Sequence, residues 1–117
     1  MASGSSVLLV EDEVLIRMMI ADMLDELGHK VVAEAGSIDE ALRLAANVDA
    51  DFAVLDVSLA GERVTPVADL LIARNLPFFF ASGYGSNGLP DGYQHHAALQ
   101  KPFQMQSLAE MIENMLA

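Results

Sequence analysis

Apolar residues along this chain fall into short continuous runs separated by stretches of helical period. Val7-Leu8-Leu9-Val10, Phe52-Ala53-Val54-Leu55, Phe78-Phe79-Phe80-Ala81 and Ala97-Ala98-Leu99-Gln100 read as strands, and the unbroken run at 52–55 is that of a central strand covered on both faces. Lys30-Val31-Val32-Ala33-Glu34-Ala35 predicts one more. Behind the first run, Ile16, Ile20, Met23 or Leu24, and Leu27 recur on one helical face, and Leu27-Gly28 marks the helix end. Ser37 with Glu40 three residues on forms a capping box, which predicts a helix to about Asn47. Residues 64–75 predict another, with Pro66 tolerated in its first turn because the missing N–H has no intrahelical partner there. Met105–Leu116 predicts a closing helix whose buried stripe is Leu108, Met111, Ile112 and Met115.

Alternation of this kind predicts an α/β fold with five parallel strands. One helix is missing from it. Residues 83–96 hold four glycines and a proline, which oppose a helix interior. The expectation is a loose, partly disordered crossover with at most a turn or two near Asp91–His96. His95 and His96 read there as solvated loop residues, since adjacent side chains seldom face one metal.

The 117 residues suit one domain. Residues 1–5 are expected to be a flexible lead-in and 6–117 the folded unit. Residues 1–6 lack the basic and apolar regions of a secretory signal. Hydrophobic residues make up 53% of the chain, enough for a core, yet no run approaches the roughly 20 residues of a membrane span. Six Lys and Arg against 17 Asp and Glu, net -11, repel nucleic-acid phosphate and favour a basic surface on a protein partner. The absence of cysteine excludes disulfides and thiolate metal sites and suits a reducing, cytoplasmic setting.

Charge enters the picture where the runs end. The first strand ends in Glu11-Asp12, the third in Asp56, the fourth in Ser82 and the fifth in Lys101-Pro102. Parallel strands bring these ends to one sheet edge, where open α/β folds bind ligands. Three carboxylates at one edge repel each other unless a cation neutralises them, and all-oxygen ligation beside a phosphate suits Mg²⁺. Asp56 is the candidate nucleophile, able to take a phosphoryl group as a mixed anhydride. Lys101 would face phosphoryl oxygens as a point charge, with Ser82 offering a hydroxyl. Pro102 biases Lys101 toward extended backbone and permits a cis bond.

Glu11-Asp12, Asp56, Ser82 and Lys101-Pro102, in this order, resemble the response-regulator receiver domain. The resemblance covers residues 6–117 and implies a flavodoxin-like (βα)5 fold with sheet order 2-1-3-4-5, an order given for this family's chemotaxis member. It also implies Asp56 as phosphoacceptor in a two-component system, and Mg²⁺ held by Glu11, Asp12, Asp56 and the backbone carbonyl of Ser58. Ser82 and Lys101 would then bind the phosphoryl oxygens. Pro77-Phe-Phe-Phe-Ala-Ser-Gly-Tyr-Gly85 resembles the FATGUY type of single-domain regulator of alphaproteobacteria, which implies a sensor histidine kinase of the HWE or a related class, or a histidine phosphotransfer protein, as partner. Such a regulator is a phosphoacceptor that assists its own chemistry, not a conventional enzyme, and is expected as a monomer or weak dimer without membrane or nucleic-acid contacts.

Departures from the family pattern are local. The position three before Lys101, often a switch aromatic, is Ala98, so Tyr84, two residues after Ser82, is expected to replace it as a switch alongside Ser82. Leu59-Ala60, with Gly61 following, stands where Met-Pro is often found three and four residues after the phosphoacceptor. Three other readings stay open at this point: a phosphorylation-independent scaffold, a metal-dependent phosphatase turning over on Asp56, and a nucleotide-binding module. The phosphatase lacks a second acid at Ser58, and the nucleotide module lacks a glycine-rich loop after the first strand.

Overall fold

The structure, a computed structural model, describes residues 4–83 and 88–116. Five strands form the main sheet: β1 (Ser6–Val10), β2 (Lys30–Ala35), β3 (Phe52–Asp56), β6 (Phe78–Ser82) and β7 (Ala98–Gln100). All pairs are parallel and the order is β2-β1-β3-β6-β7, which is the 2-1-3-4-5 pattern once a small hairpin is set aside. Helices α1 (Val14–Glu26), α2 (Ile38–Asn47), α3 (Thr65–Ala73) and α4 (Met105–Leu116) cover it.

The strand pleat divides the core in two. Leu8, Val10, Ala53, Leu55, Phe78 and Phe80 face α2 and α3, whereas Val7, Leu9, Phe52, Val54, Phe79 and Ala81 face α1 and α4. Every residue of β3 and β6 is buried, which is why these runs show no alternation in sequence. The stripes Ile20 and Leu24 of α1 and Leu108 and Ile112 of α4 close the second face, with Met111 and Met115 partly buried beside them.

Local signals explain the helix ends. The Ser37 side chain accepts from the Glu40 N–H at 3.2 Å, while the Glu40 carboxylate accepts from Gly36 N–H at 2.9 Å. The capping box therefore closes one residue earlier than its usual reciprocal bond. Gly28, at φ 90, follows α1, and Asn75, at φ 59, follows α3, each taking the left-handed turn that ends a helix.

Two features lie outside the sequence expectation. Strands β4 (Ser58–Leu59) and β5 (Glu62–Arg63) form an antiparallel hairpin around Ala60 and Gly61 at φ 50 and 84, as a tight two-residue hairpin turn requires. The second concerns the crossover between β6 and β7. Its described part holds no α-helix, as the glycines and proline predict, but it is pinned in turns, with Tyr93 N–H donating to Pro90 O and His96 N–H to Tyr93 O, both at 3.0 Å. Leu89 is buried in the core, and Tyr93 donates its hydroxyl to Asp69 of α3 at 2.6 Å. His96 is not a solvated residue. Its ring stacks on Phe78 at 4.3 Å, and its Nε2 lies 2.9 Å from Phe78 O, because the sheet face left bare by a missing helix is covered by rings instead. His95 is exposed, as expected.

Candidate functional site

The carboxyl ends of β1, β3, β6 and β7 converge on one edge. Glu11 directly follows β1 and is 1% exposed. Its N–H continues the ladder to Ala35 O at 2.9 Å. Its carboxylate takes two donors: Lys101 Nζ at 2.6 Å on Oε1 and Glu13 N–H at 3.1 Å on Oε2. Asp56 ends β3, 9% exposed, with Oδ1 at 3.4 Å from Lys101 Nζ. Asp12 is half-buried and accepts from the Ala60 N–H at 2.8 Å, so the tip of the β4–β5 hairpin is tied to the acidic pair. One carboxylate oxygen from each of Glu11, Asp12 and Asp56 lies within 4.8 Å of the others.

The other expected residues fall nearby. Ser82 is fully buried at the end of β6, in register with Gln100, and its carbonyl accepts from the Lys101 N–H at 2.8 Å. That bond fixes where Lys101 leaves the sheet. The Lys101–Pro102 peptide is cis. Ser58 opens the hairpin two residues after Asp56, exposed. Tyr84 lies outside the described residues.

Electrostatics make the cluster asymmetric. Burial first, and then the Glu11 carboxylate, push the Asp56 carboxyl up to about 7 against the opposing pull of Lys101. Burial works against the Lys101 ammonium, yet its hydrogen bond to Glu11 and the Asp56 charge outweigh that and raise it above the ordinary value. Burial also opposes charge on Asp12, but the donors around it, chiefly Ala60 N–H, hold its carboxyl below the usual range. With one ammonium among three acids, the site retains surplus negative charge and hard oxygen donors. Its chemistry suits a small divalent cation.

Sequence reading passed over two supports of this edge. Ala60 contributes only its backbone and leaves no residue-type signal. Arg17 leaves a faint one: a cation near the start of a helix is disfavoured by the dipole, so it implies a local partner. Its NH1 donates to Glu11 O at 3.0 Å, and its Nε pairs with Glu34 at 3.2 Å.

Comparison with known proteins agrees with this geometry. Residues 7–113 match the response regulator receiver domain. The solution structure of SdrG from Sphingomonas melonis Fr1 superposes with a TM-score of 0.87 at 37% identity, covering all of both chains. A second SdrG structure, the BeF3-activated conformation, gives 0.82 at 36% identity. The transcriptional regulatory protein PdtaR of Mycobacterium tuberculosis is 32% identical over 111 residues, 92% of this chain and 54% of its own. The phyllosphere-induced regulator PhyR of Methylorubrum extorquens is 30% identical over 117 residues, 97% of this chain and 44% of its own. The chain thus spans about half the length of these curated relatives.

Proposed function

The chain belongs to the response regulator receiver family, and from that membership we propose that it accepts a phosphoryl group on Asp56 from a kinase phosphohistidine and signals through the phosphorylated state. The observation that carries this reading is the meeting of Asp56, Glu11 and Asp12 with Lys101 at one sheet edge, the acids' oxygens within 4.8 Å of one another and the ammonium in contact with two of them. A pseudo-receiver acting only as a scaffold would have no use for that concentration of opposed charge.

Glu11, Asp12 and Asp56, with the Ser58 carbonyl, are the proposed holders of Mg²⁺. The bound ion supplies positive charge to the phosphoryl oxygens and keeps Asp56 ionised. In the reaction an Asp56 oxygen attacks phosphorus in line, the P–N bond to the donor histidine breaks, and its electron pair returns to the imidazole. Lys101 and the Ser82 hydroxyl hold the equatorial oxygens, where transition-state charge spreads. Glu11 holds Lys101 before the phosphoryl group arrives.

The donor's approach is suggested by α1. Val14, Leu15, Met18 and Met19 are exposed, and Ile16, Met19, Ile20, Lys101, Pro102 and Phe103 line a cleft of about 280 Å³ that opens beside the site. An apolar ridge next to a phosphoacceptor fits the helix of a sensor histidine kinase or phosphotransfer protein, and the resemblance carried by Pro77–Gly85 supports one of the HWE or related class. Output by protein contact or by phosphate shuttling follows from Ser82 and the crossover, with Tyr84 as the proposed partner switch. The SdrG structure described as BeF3-activated supports phosphorylation as the trigger. No helix of the described residues is long and apolar enough to cross a membrane.

The test is incubation with Mg²⁺ and acetyl phosphate, followed by intact mass beside Asp56→Asn. A single phosphoryl adduct that needs Mg²⁺ and vanishes in the variant is expected. No adduct, together with no BeF3⁻ complex, would refute the reading.

A further inference from the structure

We infer that Arg17 is a positioning residue of the phosphoacceptor site, clamping the Glu11 peptide so that its carboxylate is held toward Lys101 and Asp56. The inference rests on the reading above and names a residue that this reading does not use. Glu11 sits one residue beyond β1, where the sheet ladder is running out. Its N–H is still claimed by Ala35 O. The neighbouring strand β2 ends at Ala35, and past it the Gly36 N–H is bonded to Glu40 Oε1 at the start of α2. The Glu11 carbonyl, in a residue 1% exposed, takes its donor from Arg17 NH1 at 3.0 Å. A buried acceptor left without that donor would be costly.

The place for the guanidinium is built by other residues. Glu34, on β2, pairs with Nε at 3.2 Å, so the guanidinium bridges Glu11, just past β1, and β2. Gly36 leaves the room: a Cβ there would lie 2.8 Å from Arg17 NH1, so any larger residue would push the guanidinium tip from its present place. With its N–H, its C=O and both carboxylate oxygens all engaged, Glu11 has little freedom to rotate. Lys101 and the proposed cation therefore meet a preset acid.

Two variants of the full chain separate this role from ordinary stability. Arg17→Met removes the clamp and its charge. Gly36→Ala keeps the charge and displaces the flexible guanidinium tip by steric contact. Mg²⁺ binding to the unphosphorylated protein is titrated by amide chemical shifts, beside urea unfolding in EDTA and the acetyl phosphate rate. Simple electrostatics predicts that losing a cation tightens Mg²⁺ binding. The clamp predicts the opposite, about tenfold weaker binding in both variants, with an acetyl phosphate rate restored at high Mg²⁺. Unchanged or tighter Mg²⁺ binding in both variants would overturn the proposal. So would loss in Arg17→Met that only tracks its unfolding midpoint while Gly36→Ala binds as wild type. Should Arg17→Met fail to fold, Gly36→Ala decides. Failure of the wild-type chain itself to bind Mg²⁺ would sink the underlying reading, and is seen before any variant is made.

Discussion

Asp56→Asn should make the metal-free protein more stable, and increasingly so as pH rises. In the folded state burial and the neighbouring Glu11 push the Asp56 carboxyl from 3.8 up to about 7. That difference corresponds to roughly 4 kcal/mol of penalty on ionising it in the native fold. The folded protein holds the proton more tightly than the unfolded chain. The stabilising contribution of the bound proton is therefore complete below about pH 4, declines through the interval, and is lost above about pH 7. Asparagine keeps the shape and has no charge to suppress. The variant's advantage should be about 2 kcal/mol at pH 5 and about 4 kcal/mol at pH 8 by the same linkage. Urea unfolding in EDTA at these two pH values measures it. Mg²⁺ should narrow the gap at pH 8 by stabilising the wild type alone, since binding to the native state adds stability by mass action. A variant no more stable than wild type at pH 8, or an advantage that grows as pH falls, would show that the three acids do not oppose one another as the geometry requires.

Lys101→Met leaves Glu11 and Asp56 facing each other with no ammonium between them, and should cost about 2–4 kcal/mol at pH 8 by urea unfolding without Mg²⁺, with no phosphoryl adduct by mass. Phe80→Ala should cost about 3–5 kcal/mol and broaden the amide signals of residues 89–96, because Phe80 contacts the rings of both Tyr93 and His96. Tyr93→Phe removes the 2.6 Å bond to Asp69 and should lower stability by about 1 kcal/mol. Burial and that bond push the Tyr93 phenol up to about 12, so an ultraviolet titration should show a late phenol phase that this variant abolishes.

The central strands were readable because burial on both faces imposes an uninterrupted apolar run, and their chemical endings were readable because a parallel sheet must bring those ends together. Helix limits came from capping residues whose bonds the structure contains, as at Ser37 and Glu40. The β4–β5 hairpin was not legible: Ala60 adopts φ 50, where Asn or Gly would have announced a turn. Nor was the packing of the crossover. Its glycines forbid a helix but say nothing about rings, and the packing of Tyr93 and His96 against Phe78 and Phe80 depends on which sheet face lacks a helix. Arg17 was missed for a related reason: it acts on a main-chain oxygen, and no residue pattern advertises a backbone acceptor.

The aromatic cover over β6 bears on how cheaply this domain can exist in two forms. A helix on that face would be held by a ladder of internal hydrogen bonds, and removing it would resemble unfolding. Residues 89–96 are held instead by the buried Leu89, by ring contacts, by the His96 ring nitrogen at Phe78 O, by one hydroxyl at Asp69 and by two turn bonds. Opening such a segment would be a subglobal event that leaves the sheet intact. A differential interaction of about 1.4 kcal/mol at the sheet edge between closed and open forms would change the ratio of their populations tenfold. Replacing a helix with stacked rings thus puts a whole face of the protein within reach of a single charged group.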